Sequence, residues 1–464
     1  MSPRRVLPLL PLALAPLAGA EPFPEWTLHT GLTSTQTHLV DLEGNTVKTW
    51  SSDFPPGLSV YLGDDGSIVR SANDFSLPGP VGGGVGGRIQ IIAWDGTLEW
   101  DYVLAGPNHR GHHDFRVLPN GNILAIVWER MTASEAIAMG RDPATVSGEL
   151  WSEGIYEIQP TGPTSGDVVW EWHVWDHLVQ DFNPALPNYA DPAEHPEKID
   201  INFSPNGLSP DWLHFNGLDY NEELDQIIVS CHAFDELWIF SRSGLGSGDL
   251  LYRWGNPRAY GRGTVADQKF FNQHNAQWID EGLPGAGNIL VYNNGNGRPE
   301  GAFSSVEEIT PPLNKDGTYA LASGEAYGPA APTWICDNAG GSTFYSSFIS
   351  GAQRLPNGNT LVCVGASGEF IELTPDCEVD WAHVAGGSQF RATRIGARDH
   401  RLQGLLWCTA DLALPYDVLD FSDILAFLDA FGAGEPVADL AAPEGVLDFS
   451  DISAFLSAFA AGCP

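Results

Sequence analysis

IQIIAWDGTLEWDY, residues 89 to 102, is an apolar strand, a polar turn and a second strand that ends in tryptophan and tyrosine. The same form returns in IYEIQPTGPTSGDVVWEWHVW at 155 to 175, LWIFSRSGLGSGDLLYRW at 237 to 254 and FIELTPDCEVDWAHV at 370 to 384. An earlier copy, THLVDLEGNTVKTW, lies at 37 to 50. A second kind of hairpin precedes some of them: LPNGN occurs at 118 to 122 and at 355 to 359, each time followed by an apolar strand. Asn-Gly favours positive φ at both central turn positions, which is the hairpin geometry.

Two hairpins of different type make a four-stranded antiparallel unit, and a unit of that size buries its faces only against neighbours. Radial repetition of such sheets is a β-propeller, so the predicted class is all-β with six blades over residues 21 to 400. A β-sandwich is the competing arrangement, but it leaves the Trp-ending hairpins unexplained. The copy at 37 to 50 begins in mid-unit, which predicts that N-terminal strands complete a blade begun near the end of the module. The segment 129 to 150 interrupts the strand pattern with helix-forming residues after Thr132. With the Pro-rich stretch 181 to 210, it is expected to form insertions on one face, where insertions often wall a site.

The chain opens with Arg4 and Arg5, an apolar run from Val6 to Leu17, and Ala18-Gly19-Ala20. This pattern predicts a signal peptide over residues 1 to 20, too short to span a membrane, and hence a secreted, periplasmic or cell-surface protein. The net charge of −37, with only 22 lysines and arginines, excludes a nucleic-acid surface, which requires clustered cations. Export permits disulfides. Cys408 with Cys463 is the first expected pair, a second is expected among Cys336, Cys363 and Cys377, and Cys231 reads as a buried thiol as readily as a partner.

At Asp411 the pattern changes. ADLALPYDVLDFSDILAFLDAF is followed by ADLAAPEGVLDFSDISAFLSAF, with equivalent residues 28 apart (439 minus 411). Ile424, Phe427, Leu428 and Phe431 mark one helical face, and Ile452, Phe455, Leu456 and Phe459 another. Ser422 and Ser450 are the expected N-caps. Residues 408 to 464 thus form a small α-helical duplicated loop-helix tail, expected to pack helix on helix. It resembles the dockerin-like modules that end in Gly-Cys, here Gly462-Cys463. That resemblance implies a protein or cell-surface partner, and offers Asp411, Asp420, Asp423, Asp439, Asp448 and Asp451 as remnants of a calcium loop. Ala413, Pro415, Ala441 and Pro443 occupy middle ligand positions, and calcium requires six or more oxygens.

Three segments place a histidine just ahead of a strand: HHDFRVLPNGNILAIVW at 112 to 128, DWLHFNGLDYNEELDQIIVS at 211 to 230, and FNQHNAQWIDEGLPGAGNILVYNNG at 271 to 295. Taken singly, such a histidine is most often a turn residue bonded to backbone. Equivalent points of successive blades, however, converge on one axis. Together with DLLYRWGNPRAYGRG at 249 to 263 and FISGAQRLPNGNTLVCVG at 348 to 365, these segments resemble the bacterial arylsulfotransferase family over roughly residues 30 to 385.

The resemblance implies a six-bladed exported propeller that moves a sulfuryl group from a phenolic sulfate ester to a phenol, without a nucleotide donor and with no required cofactor. It makes His274 the nucleophile, with a sulfohistidine intermediate. His214 and Asn216 would bind the transferred group and assist proton transfer, and His113, with His112 beside it, would supply a further imidazole. Where many family members carry an arginine, this chain has Ser230-Cys231-His232, so His232 is expected to act as the cation when protonated, backed by Arg253 and Arg258. Two other classes compete: a metal-dependent propeller enzyme, disfavoured because His214 and His274 are followed by Phe-Asn and Asn-Ala rather than carboxylates, and a non-catalytic binding propeller displayed by its tail.

Overall fold

A computed structural model describes residues 22–23, 25–338, 340–341, 343–396, 399–402, 410–413, 419–441 and 446–462. The expected signal peptide and the expected Cys408–Cys463 pair lie outside the described residues. Six four-stranded antiparallel blades are present, the third with a two-residue edge strand added. Their innermost strands, from blade 1 to blade 6, are Gln389–Gly396, Pro56–Leu62, His109–Val117, Phe215–Asn221, His274–Trp278 and Gly351–Arg354. Blade 1 joins the chain ends: Gln389–Gly396 pairs with Glu25–Gly31, so the N-terminal strands complete a sheet whose inner strand arrives last. That closure was the expectation drawn from the copy at 37 to 50.

The tryptophans that end the outer strands account for their own recurrence. Each indole N–H donates to a backbone carbonyl of the next blade's outer turn: Trp100 to Ser165 (2.9 Å), Trp172 to Gly248 (2.7 Å), Trp254 to Pro329 (2.8 Å), Trp334 to Pro375 (2.9 Å) and Trp381 to Leu42 (2.8 Å). An indole buries a large apolar face and still needs one acceptor, which a turn of the neighbouring blade supplies. Five of the six junctions are closed in this way. At the sixth, between blades 1 and 2, Trp50 Nε1 is buried without a partner. There Trp50 instead meets Trp94 edge to face at 5.3 Å, with the Lys48 ammonium over both rings.

Blade 5 hid its outer hairpin from the sequence pattern because residues 310 to 333 separate Ser305–Ile309 from Trp334–Cys336. A disulfide between Cys336 and Cys377 ties this outer strand to the turn of blade 6, with Cα atoms 5.8 Å apart, while Cys231 and Cys363 are buried thiols. The insertion after Thr132 begins with a helix, Ala133–Ala138, closed by a Thr132–Glu135 capping box.

In the C-terminal segment, helices Phe421–Ala433 and Phe449–Ala461 meet through Phe427 and Phe455, stacked with centroids 4.1 Å apart. Two expectations are corrected. The N-caps are Asp420 and Asp448, not the serines, whose backbone N–H groups donate to those carboxylates at 2.7 Å. Leu428 and Leu456 are about half exposed, at 50% and 52%, because they sit one position round the helix from the buried Phe427 and Phe455.

Candidate active site

Each inner strand of blades 3, 4 and 5 starts with an irregularity that aims side chains at the axis. The ladder slips between Ala125 and Val127, between Phe215 and Gly217, and between His274 and Gln277. His113, His214 and Asn275 take positive φ values of 49°, 54° and 56° at these points. A bulge re-aims the chain, and left-handed non-glycine residues gather where the surrounding fold holds them for function. The result is an arc of imidazoles. His113 and His214 have centroids 4.6 Å apart, His214 and His232 5.0 Å, and His232 and His274 5.3 Å. Phe390, from the inner strand of blade 1, lies 6.2 Å from His113 and 6.4 Å from His274.

The tautomer of His274 follows from its neighbour. Asn294 Nδ2 donates to the carbonyls of Ser346 (2.7 Å) and Ile349 (2.9 Å), so Oδ1 is the face that meets His274 Nδ1 at 2.7 Å. Nδ1 therefore carries the proton and Nε2 the lone pair, which accepts a longer bond from Ile349 N–H at 3.2 Å. Burial pushes the His274 pKa down to about 3, partly opposed by the bond to Asn294. Burial and the neighbouring imidazoles also hold His113 and His232 well below the ordinary histidine value. His214 is more open, and its Nδ1 meets Asp211 Oδ2 at 2.6 Å.

A glycine-rich segment, Val81 to Gly87, lies against His113 and His214 through Gly84 and Gly83. At Gly84, φ is +80° and a Cβ would stand 2.1 Å from His113 Cε1, so a bare backbone is required where the loop crosses the ring. His113 N–H donates to Gly84 O at 2.9 Å, fixing the crossing.

The expected residues fall into two groups. His113, His214, His232 and His274 come together, with Asn216 behind them, its Nδ2 donating to Gln273 O at 2.9 Å. His112 does not face the arc. It is buried behind His113, stacked on Trp128 at 3.9 Å. Arg253 is also elsewhere: fully buried, it pairs with Glu236 at 2.5 Å and lies over Tyr260. Arg258 makes its ring contact with Phe203, at 5.6 Å. Burial, with His214 and His274 beside it, holds His232 below the ordinary histidine value, which disfavours the charged form. Arg391, which no motif marked, brings a guanidinium to the axis. Its guanidinium donates to Asp114 Oδ2 (2.6 Å), Tyr61 Oη (2.8 Å) and Asn216 O (3.1 Å), and it acts electrostatically on His274.

Carboxylates do stand beside two of the imidazoles, contrary to the expectation from the residues that follow each histidine. Asp211 and Glu153 stand next to His214 and His112, brought there by the fold from outside the strings that follow each histidine. Among the described residues, however, no three His, Cys, Asp or Glu side chains are placed to share a metal ion. In the C-terminal segment, Asp423 Oδ1 accepts from Leu412 and Ala413 N–H (2.5 and 2.8 Å) and Oδ2 from Asp420 N–H (2.8 Å). Asp451 repeats this with Leu440, Ala441 and Asp448, all at 2.8 Å. Amide donors converge where calcium needs oxygens, so these two carboxylates do not fit the ion.

Fold and site together define a propeller that gathers imidazoles around its axis beside a glycine-rich segment. Residues 84–393 match the Arylsulfotransferase (ASST) family, and the chain belongs to that family. No curated protein matches the chain. Among solved structures, a Bacteroides caccae protein of unknown function is 13% identical, with 80% of this chain and 99% of that one covered and a TM-score of 0.46. The periplasmic gluconolactonase PpgL of Pseudomonas aeruginosa is 11% identical, with 80% and 99% covered and a TM-score of 0.42.

Proposed function

We propose that the protein transfers a sulfuryl group from a phenolic sulfate ester to a phenol through a sulfohistidine on His274, with no nucleotide donor. The observation that carries this reading is the fixed tautomer of His274: Asn294 holds the Nδ1 proton and leaves Nε2 as a lone pair. In the first step Nε2 attacks sulfur, the sulfur–phenol oxygen bond breaks, and the departing phenolate takes a proton. In the second, the acceptor phenol loses a proton and its oxygen attacks sulfur, releasing His274. Covalent catalysis divides one displacement into two easier ones, and a neutral imidazole is the nucleophilic form.

Charge on the transferred group spreads over its oxygens, so donors around it matter most, as in phosphoryl transfer. The Ile349 N–H now on Nε2 passes to a sulfuryl oxygen when the ester binds, and Arg391 supplies the positive field. Asp211 orients His214, which stands between His113 and His232 in the arc, as a second proton carrier. Export is part of the proposal, supported by the Cys336–Cys377 disulfide; no helix of the described residues is long and apolar enough to cross a membrane.

Incubation with a chromogenic aryl sulfate and a phenol acceptor, following donor cleavage and acceptor sulfation together, tests the reading. Wild type should do both, and His274→Ala neither. Acid-quenched protein labelled from a radioactive sulfate donor should carry the label on His274. A folded wild type that sulfates no phenol from any of several donors would overturn the assignment.

A further inference from the structure

Behind His113 runs a line of buried hydrogen bonds that the nucleophile does not need. His112 Nδ1 meets His113 Nδ1 at 2.8 Å, and His112 Nε2 meets Glu153 Oε2 at 2.8 Å. The side chains of His112 and Glu153 are fully buried. Glu153 comes from strand Glu149–Gly162, two strands out from the axis, and its other oxygen accepts from Phe215 N–H at 2.9 Å. Trp128 stacks on His112 at an interplanar angle of 7°, which fixes the ring in line between its two partners. A salt bridge isolated from water would carry a large desolvation cost without further donors. Burial, reinforced by Asp211 and Glu129, raises the Glu153 carboxyl well above its ordinary value, and burial lowers His112, so the neutral pair is the stable one.

Resting on the sulfuryl-transfer reading above, we infer that Glu153 is a proton reservoir for the departing and incoming phenols, connected through His112 to His113. At rest Glu153 carries its proton on Oε2, His112 on Nδ1 and His113 on Nε2. As the sulfur–oxygen bond breaks, His113 Nε2 gives its proton to the phenolate. His113 Nδ1 takes the His112 Nδ1 proton, and His112 Nε2 takes that of Glu153. One proton has moved, both imidazoles remain neutral, and the negative charge that left the phenolate rests on Glu153. When the acceptor phenol enters, its proton returns along the same line. Neither His112 nor His113 need be charged in either form, which suits an arc packed with four imidazoles.

Glu153→Gln keeps both an acceptor for Phe215 N–H and the side-chain volume, but cannot release a proton. A poor leaving group needs that proton and a good one does not. The expected result is a fall in kcat of at least about 10²-fold with unsubstituted phenyl sulfate, against less than about 5-fold with 4-nitrophenyl sulfate. His112→Gln should give the same pattern, and the double variant should be no worse than either single one. Equal losses with both donors, or none with either, would overturn the inference. Infrared difference spectroscopy reads the reservoir without turnover: wild type should show a protonated-carboxyl stretch that Glu153→Gln lacks, and its absence at neutral pH would overturn the inference even in an active enzyme. A wild type without transferase activity that still shows the band would sink the transferase reading and leave the stored proton standing.

Discussion

Arg391 and Asp114 meet at 2.6 Å across the axis of the propeller, one from the strand that closes blade 1 and the other from the inner strand of blade 3. The Asp114 side chain is fully buried, and its carboxylate also accepts from Ser59 and Tyr61 hydroxyls and Leu218 N–H. One contact therefore joins the last strand of the propeller to the floor of the site. Arg391→Met leaves a buried carboxylate without its cation and should cost about 3–5 kcal/mol in denaturant unfolding, with Arg391→Met/Asp114→Asn recovering part of that loss.

Acid should unfold the protein earlier than its carboxylates alone would. Folded, His274 keeps its proton off down to about pH 3, and burial pushes His112, His113 and His232 the same way. Unfolded, each takes a proton near its ordinary value of 6.5. Between those limits the unfolded chain binds more protons, so stability rises with pH and is lost as acid is added below 6.5. The urea midpoint should fall steeply in that interval, and His232→Asn should flatten the slope.

Gly84→Ala should reduce transferase turnover by about an order of magnitude or more, because the loop must move off His113. Gly96→Ala shares the positive φ but has nothing within 4 Å of its Cβ. It should cost stability alone, leaving kcat unchanged.

The Trp172→Phe and Trp50→Phe variants isolate the hydrogen bond between blades. Both lose ring volume, but only Trp172 gives up an acceptor, Gly248 O, whereas Trp50 removes a buried donor that has none. Trp172→Phe should be the more destabilising by about 1–2 kcal/mol in chemical denaturation.

Calcium titrated into the full chain should give no saturable heat at the C-terminal loops, and a chelator should leave hydrogen exchange there unchanged. Asp423→Ala should abolish protection of the Leu412 and Ala413 amides, which its carboxylate holds. Calcium-dependent protection of those amides would show that oxygens, not N–H groups, face the loop centre.

How far the sequence could be read depended on how locally each feature is encoded. The outer hairpins were visible because strand, turn and tryptophan are contiguous, and blade 5 escaped where residues 310 to 333 separate the two strands. His214 and His274 stood out because one immediately precedes its inner strand and the other opens it. Arg391 and Glu153 lay outside the quoted strings and are brought to their partners by the fold, and Asn294, though inside the string that holds His274, meets it only through the pairing of the blade's first two strands. His113 was favoured over His112 on strand alternation and the adjacent Asp114 alone, whereas the left-handed φ that orients His113 has no local signal in the sequence. The helix caps were misassigned because aspartate and serine compete for the cap, and here the carboxylate two residues earlier takes it.

The ring of indole donors has a sense of rotation. Each blade in that series offers its N–H forward and is gripped from behind, so the scaffold works like a chain of identical couplings that is indifferent to what each carriage holds. The gathered imidazoles ride on three consecutive carriages, blades 3 to 5, with a guanidinium reaching in from the first. An inserted or deleted blade could preserve every coupling and still leave the protein inert, because mechanical closure and catalytic placement obey different periods in the same chain.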